Sequence, residues 1–600
     1  MSLDPSPASY YVTTPIYYVN DRPHIGHCYT TLIADLVARA QRLIGGPDRP
    51  VFFLTGTDEH AEKVVTSALE HAMTPQQWAD HNAARFREAF AFMGFSNDDF
   101  VRTTEDRHKT RASAYIQRLV DQGDIELGDY TGWWDASQEE YVTESTAKEH
   151  DFKSPVTGRP LEKRTEQNYF FRLDKHQDWL LELIERGTRN EASSQGEPGG
   201  MAILPEARRN EIVSRIKGGL NPVPVSRRIK AGDADWGIRM PNDPEHRVYV
   251  WIEALCNYLT VVDTPERRRF WPRPGEGSSI VTHLMAKDIV WFHAVIWPAM
   301  LRALGETPPR TVYAHAYWIA EGKKMSKSLG NFIEIEQLRA YAQKFSLDAV
   351  RWYLATQGPL GATDADFAHA RFVEVYNAEL ANGIGNCASR VANMVEKYFD
   401  GTLTRLCDGR FGFEDGRSLQ LARKARVLAG NPAPDETRTF DLAAFCARGV
   451  EAAARSAKGC RPDDIVRAGL VIVREVDEFI TYSAPFTLAK KMGELEHADK
   501  ALATILYACA ESLRIASLLL SPAMPAKMAQ LWREWGCTHL SDPNDHNSAF
   551  VAPLAELAQW SGPHGMKVGQ AIRKGEALFM RADPKEPAPG TPPTLPGAGA

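Results

Sequence analysis

The sequence predicts an α/β protein: a doubly wound parallel sheet, broken by an inserted domain and followed by an all-α helix bundle. Three observations carry this. Two β-rich apolar runs, at 11–19 and 51–54, flank a stretch of helical spacing at 24–44, and strand, helix, strand at these lengths make a parallel βαβ unit. Two further runs of the same kind, 279–285 and 311–320, return far downstream. From Asp366 to about residue 560 the apolar period is helical almost throughout.

The elements follow in order. The run YVTTPIYYV is stopped by Pro23, and the next segment places apolar residues at 29, 32, 33, 36, 37, 40, 43 and 44. Gly45-Gly46-Pro47 ends that helix, and VFFL at 51–54 is closed by Thr55-Gly56-Thr57-Asp58. Residues 115–240 are aromatic, charged and turn-rich, with Gly/Pro punctuation at 154–160 and 197–200, and read as the insert. Residues 401–440, rich in Gly, Asp, Pro and Arg, read as an exposed excursion, and from Ala582 onward Pro, Gly and Ala predict disorder.

Composition excludes little. A chain of 600 residues is too long for one core, so two or three domains are expected. Hydrophobic content of 44% and charged content of 24% are those of an ordinary globular protein. No run of eighteen apolar residues and no signal-like N-terminus is present, which predicts a cytoplasmic protein with no membrane partner. Eight scattered cysteines fit free thiols. The net charge of −7 argues against a protein coated in nucleic acid, though a local basic surface could still grip RNA.

Two short motifs carry chemistry. His24-Ile25-Gly26-His27 stands where the first strand yields to a helix, where free backbone N–H groups and the helix dipole favour phosphate. His24 and His27 share one face of the first turn, and Gly26 allows a flat base or ribose to come close. Lys324-Met325-Ser326-Lys327-Ser328 lies between Gly322 and Gly330 in a polar loop. Two ammonium groups three positions apart can close over a triphosphate and neutralise its leaving group. Each motif alone has a plain alternative, a helix start and a solvated basic loop.

Together they resemble the two signatures of class I aminoacyl-tRNA synthetases. The stretches TTPIYYVND, FFLTGTDEH, DWGI, YVWIEALCNYLT, KDIVWFHAVIWPAM and SKSLGN resemble the methionyl-tRNA synthetase family from about residue 9 to 490. The resemblance implies a Rossmann-like catalytic domain in two halves (1–114 and 241–322) around a connective domain (115–240). It further implies a signature loop and linker (323–364), an anticodon-binding helix bundle (365–565) and a tail, 566–600, that is largely disordered. It implies that Ile16, Tyr18, Trp251, Ala254, Leu255, Tyr258, Ile289 and His293 enclose the methionine side chain, with His293 or Tyr18 donating to the thioether, and that Asp58 takes the α-ammonium. His24, His27, Lys324 and Lys327 would stabilise ATP's phosphates. Gly26, Lys287, Asp288, Met325, Ser326 and Ser328 would complete the nucleotide site, Asp288 on the ribose. Mg²⁺ would arrive on the phosphates. Asn386, Arg390 and Phe486 would read the anticodon of tRNA(Met), initiator and elongator.

The chain departs from the family in places. Where paired cysteines often hold zinc, it has Asp135, Gln138, Ser154 and Thr157, a poor tetrahedral set, so no structural zinc is expected. Ala286 and Ala316 stand where glycine is usual near the nucleotide, Glu253 where aspartate is usual, and Phe486 where tryptophan is usual. The C-terminal tRNA-binding barrel of some relatives is not recognisable, which predicts a monomer. Synthetases for Leu, Ile and Val would need a larger editing insert, and a cysteine-specific relative would need zinc ligands in its pocket. A non-catalytic tRNA-binding paralogue would be expected to have lost His24, His27 or Lys327, and all three are present.

Overall fold

The computed structural model describes residues 9–136, 140–142, 144–155, 157–188, 199–230, 232–320, 323–324, 333–412 and 417–589. Its centre is a six-stranded sheet made of β1 (Ser9–Tyr18), β2 (Val51–Asp58), β3 (Asp99–Arg102), β4 (Ala202–Leu204), β5 (Ser279–Ala286) and β6 (Thr311–His315). The order is β3-β2-β1-β5-β6-β4, with every pairing parallel. The order reverses between β1 and β5, the switch point where such sheets bind ligands beyond their strand ends. β4 falls within 115–240, so that stretch is not wholly an insert: part of it returns to complete the main sheet.

β1 is buried on both faces because the sheet is covered on both, and its Thr13 and Thr14 hydroxyls are paired with His283 and Thr55. Its register against β2 shifts between Thr13 and Ile16, at Pro15, which has no N–H to give the ladder. The shift leaves Ile16 and Tyr18 at the rim of a cleft. Helix α1 (Ile25–Gly45) follows. It is buried nearly all round, since one side covers the sheet and the other receives the helical bundle. Mid-helix, Asp35 is fully buried and takes Arg39 (2.7 Å), Arg351 (2.6 Å) and both the amide and hydroxyl of Ser96 (2.7 and 2.6 Å). Arg351, on α4 (Leu347–Gln357), spends its remaining N–H groups on the carbonyls of Met93, Pro522 and Ala523. These bonds join the sheet domain to the bundle.

Between β3 and β5, α2 (Asp106–Asp121) leads into an antiparallel four-stranded sheet built on Ile125–Asp135 and Glu162–Phe171. A short helix, α3 (Val250–Leu255), leads back. At the knuckle, Trp133 Nε1 donates to Glu144 (2.6 Å), and Ser154 Oγ accepts from the Thr157 amide (3.1 Å). Gln138 lies outside the described residues.

The bundle is built on α5 (Asn386–Phe399), α6 (Pro462–Ser483) and α7 (Ala498–Leu520). α7 is apolar and long enough to cross a membrane by composition alone, which the search for unbroken apolar runs did not reveal, but 94% of its apolar window is buried inside the protein. It is the bundle's core. Gly469 of α6 lets it come close: a Cβ there would lie 2.9 Å from the Ala516 carbonyl.

Two sequence expectations are corrected here. The 401–440 stretch is not wholly an exposed excursion. It contains the helix Arg417–Leu428, whose Leu419, Ala422 and Ala425 are buried, and Phe411 and Phe440 pack on Phe479. The tail is ordered through 589. Glu511, buried and ion-paired to Arg514, accepts from the amides of Ser561 and Met566. Beyond it, Tyr376 donates to the Met580 carbonyl (2.7 Å), and Asn377 exchanges two hydrogen bonds with Ala582. Proline content suggested disorder, but backbone hydrogen bonds to helix side chains replace the ladder that prolines cannot join.

Candidate active site

A cleft of about 820 Å³ opens at the carboxyl ends of β1, β2, β5 and β6. Ile16, Tyr18, Asp58, Trp251, Ala254, Leu255, Tyr258, Ile289 and His293 all line it. His24, Gly26, His27, Asp288, Ala286 and Ala316 line it too, so residues from widely separated stretches meet in one place.

One side is apolar and aromatic. Trp251 stacks on Phe292 at 4.4 Å and meets Tyr18 edge-on at 5.7 Å. Phe292 opens a single π-helical turn, Phe292–Ile296, of the kind that concentrates at functional sites. The His293 Nδ1–H donates to the Ile289 carbonyl (2.9 Å), and Nε2 accepts from the Tyr258 hydroxyl (2.7 Å). Burial draws the imidazole down to about 4, so it is neutral. Its tautomer is thereby fixed with Nε2 as acceptor. This corrects the expectation that His293 donates to a thioether.

At the floor, Asp58 is 3% exposed and its Oδ1 has no hydrogen-bond partner. Burial, then the neighbouring Glu253 carboxylate, raise its carboxyl well above the usual range. Buried polar atoms are normally paired, and Asp58 lines the cleft, where the donor of a ligand can reach it.

The opposite side is the start of α1. His24 is the N-cap, and it forms a capping box with His27: His24 Nδ1 accepts from the Gly26 amide (3.0 Å) and His27 Nδ1 from the His24 amide (3.2 Å). With Ile25 N–H given to the Ile333 carbonyl, the first amides of the helix are occupied. The expectation of free backbone N–H groups for phosphate is therefore corrected. What remains is the two imidazoles, 3.8 Å apart. Burial lowers His24 to about 4 and His27 well below its usual value, so both are neutral with the proton on Nε2. A Cβ on Gly26 would lie 2.8 Å from the His24 ring, so this glycine first makes room for its own motif.

Lys287 is not in the lining. Its Nζ lies 2.8 Å from Asp364 and 4.8 Å from the centre of the Tyr317 ring. Lys324 pairs as backbone with Ile319, while Met325, Ser326, Lys327 and Ser328 lie outside the described residues. Sequence reasoning missed Tyr29, His315 and Phe292, which line the cleft. Phe292 stood inside a stretch quoted for its resemblance, whereas Tyr29 was visible only as a helical apolar position.

In the bundle, Arg390 pairs with Asp477 of α6 (3.0 Å) and lies 5.6 Å over the Phe486 ring. Asn386 is exposed one turn earlier, and Phe486 is 40% exposed. Asp477 gave no sequence signal.

A switch-point cleft served by a His-Ile-Gly-His helix start, beside a helical bundle, defines the class I aminoacyl-tRNA synthetases. The model for "tRNA synthetases class I (M)" matches residues 10–150 and 147–392, and the chain belongs to this methionyl family. The methionine–tRNA ligase of Caldanaerobacter subterraneus subsp. tengcongensis is 36% identical over 96% of this chain and 79% of its own length. That of Streptomyces coelicolor is 34% identical over 97% and 98%. Mycobacterium tuberculosis methionyl-tRNA synthetase in complex with methionyl-adenylate superposes with a TM-score of 0.76, at 30% identity, covering 96% of this chain and 100% of that one.

Proposed function

We propose that the cleft joins L-methionine to ATP as methionyl-adenylate, releasing pyrophosphate, and that the enzyme then esterifies the 3′-terminal ribose of tRNA(Met), initiator and elongator. The observation that carries this reading is Asp58: a buried carboxyl with an unpartnered oxygen, beside an apolar aromatic pocket and across from two neutral imidazoles. An α-ammonium satisfies Asp58 where little water remains to compete. Methionine's long, polarizable side chain suits the edges of Tyr18, Trp251 and Tyr258.

The methionine carboxylate attacks the α-phosphorus, the P–O bond to pyrophosphate breaks, and no side chain becomes covalently attached. Orientation and charge stabilisation supply the catalysis. The Nε2–H groups of His24 and His27 donate to phosphate oxygens, and Lys324 and Lys327 neutralise the departing pyrophosphate. Gly26, Met325, Ser326 and Ser328 shape the nucleotide site, and Asp288 accepts from the ribose. Lys287 acts through its pair with Asp364. No group of three His, Cys, Asp or Glu side chains among the described residues could hold a metal. Mg²⁺ enters on the phosphates of ATP, whose oxygens supply most of its ligands. The knuckle is read as zinc-free, checked by elemental analysis of purified protein, where one zinc per chain overturns it. Asn386, Arg390 and Phe486 are read as addressing unstacked anticodon bases. The enzyme is read as a cytoplasmic monomer.

The test is methionine-dependent exchange of labelled pyrophosphate into ATP, with leucine, isoleucine, valine and cysteine as controls. Exchange with methionine alone is expected, and exchange with another amino acid overturns the substrate.

A further inference from the structure

Asp58 stands among three carboxyls. Its neighbour Glu59, fully buried, takes the Arg102 guanidinium through both oxygens (2.7 and 2.9 Å) and hydroxyl donors from Thr57 (2.7 Å) and Thr104 (2.5 Å). Glu253 of α3, 1% exposed, lies between His60 Nδ1 (2.7 Å) and His108 Nε2 (3.0 Å). Burial opposes its ionisation, but the His60 and His108 imidazoles outweigh burial and draw Glu253 down to about 2. Two of the three carboxyls thus have guanidinium or imidazole partners built into the fold, while Asp58 has only the His60 amide and its Oδ1 is left without one.

The groups facing Asp58 can be taken element by element. Its own segment presents Glu59 and the His60 amide, and α3 presents Glu253. The short helix Asn257–Thr260 presents the Tyr258 phenol. His108 of α2 is engaged on Glu253, and Arg102 of β3 on Glu59 and Asp80. Among the described residues no cation acts on Asp58. A carboxyl that is desolvated beside a like charge keeps its proton.

We propose that Glu253 and Glu59, neither of which lines the cleft, hold Asp58 of the empty site as a neutral carboxylic acid, so that entry of an amino acid's α-ammonium expels one proton from it to solvent. This rests on the reading that Asp58 receives the α-ammonium. The step balances simply. The O–H bond of Asp58 breaks, water carries the proton away, the ammonium keeps its three N–H bonds, and an ammonium–carboxylate pair remains. Glu253 is a positioning residue in this scheme, acting through the proton state of Asp58. While the empty site is protonated, affinity for methionine rises about tenfold per pH unit, because one proton leaves per ligand bound.

The experiment is calorimetric titration of the full chain with L-methionine at about pH 6, in buffers of differing ionisation enthalpy. The expected result is close to one proton released per methionine bound, with binding about tenfold tighter at about pH 7. Heat that is independent of buffer, with methionine bound, overturns the proposal, and this test needs no variant. In Glu253→Gln, proton release is expected to fall while binding persists, and an unchanged proton count overturns the role of Glu253. Asp58→Asn separates the two layers. If it abolishes binding while the wild type releases no proton, the ammonium reading stands and the proposal alone falls. If it binds methionine as the wild type does, both fall.

Discussion

Asp35, halfway along α1, and Asp58, at the end of β2, are buried to 0% and 3% exposure in the same α/β half. Asp35 is surrounded by Arg39, Arg351 and Ser96, which outweigh burial and hold its carboxyl far below the usual range. Asp58 meets burial and Glu253 without a cation, and moves the opposite way. The same side chain is a structural rivet where the fold supplies its partners and, on the reading proposed above, a receptor where the fold withholds one. The difference lies in the neighbours' charge and not in depth.

That contrast can be broken at either end. Asp35→Ala, which strands Arg351 in the interior, is expected to cost about 3–5 kcal/mol of stability in denaturant unfolding. A smaller loss, near that of a surface substitution, would show that the network is dispensable. Asp58→Asn is expected to lower kcat/KM for methionine in pyrophosphate exchange roughly a hundredfold, about 3 kcal/mol, with no loss of melting temperature. Loss of stability equal to that of the Asp35 variant would erase the distinction. Phe486→Ala is expected to cost about 1–3 kcal/mol in tRNA charging and nothing in exchange, since on the proposed reading this ring stacks on a base far from the cleft. At the small end, Arg22→Ala, which removes an exposed pair with Glu334 (2.6 Å), is expected to change stability by less than about 1 kcal/mol.

The pH dependences also run in opposite directions. Asp35's contribution is present above the ordinary carboxylate range and is lost as pH falls through its depressed folded value. Asp58 binds its proton more tightly folded than unfolded, so its contribution is lost as pH rises through its elevated folded value. His24, His293 and His315 are each lowered to about 4, so stability is expected to fall as pH drops from about 6.5 towards 4. Melting temperature across that window, compared between the wild type and His315→Gln, measures one of these contributions.

Much of this was legible in the sequence because it was local. A βαβ unit reads from period and punctuation, and the residues that line the aromatic side of the cleft lie in contiguous stretches quoted for their resemblance. What was not legible depends on pairs distant along the chain. Asp35 with Arg351, Arg390 with Asp477 and Lys287 with Asp364 each look like ordinary charged residues until the fold brings them together. The tail misled for a related reason: its composition is that of a linker, and partners far back in the chain, Tyr376 and Asn377 among them, show it to be seated. That Gly26 also makes room for its own N-cap ring could not be seen from the motif.

Helix α1 has one more consequence, for how the chain is made. It emerges early from the ribosome, yet its outer face is completed by partners that follow much later: the Ala457 carbonyl for Gln41, the Ala523 loop through Arg351, and Asn547 for Arg39. With roughly five hundred residues to be added at about 5–20 per second, the nascent helix waits from about half a minute to nearly two minutes for its cover. The signature at its N-terminus is completed sooner, by Ile333 and Glu334, so the two ends of one helix reach their final setting at different times.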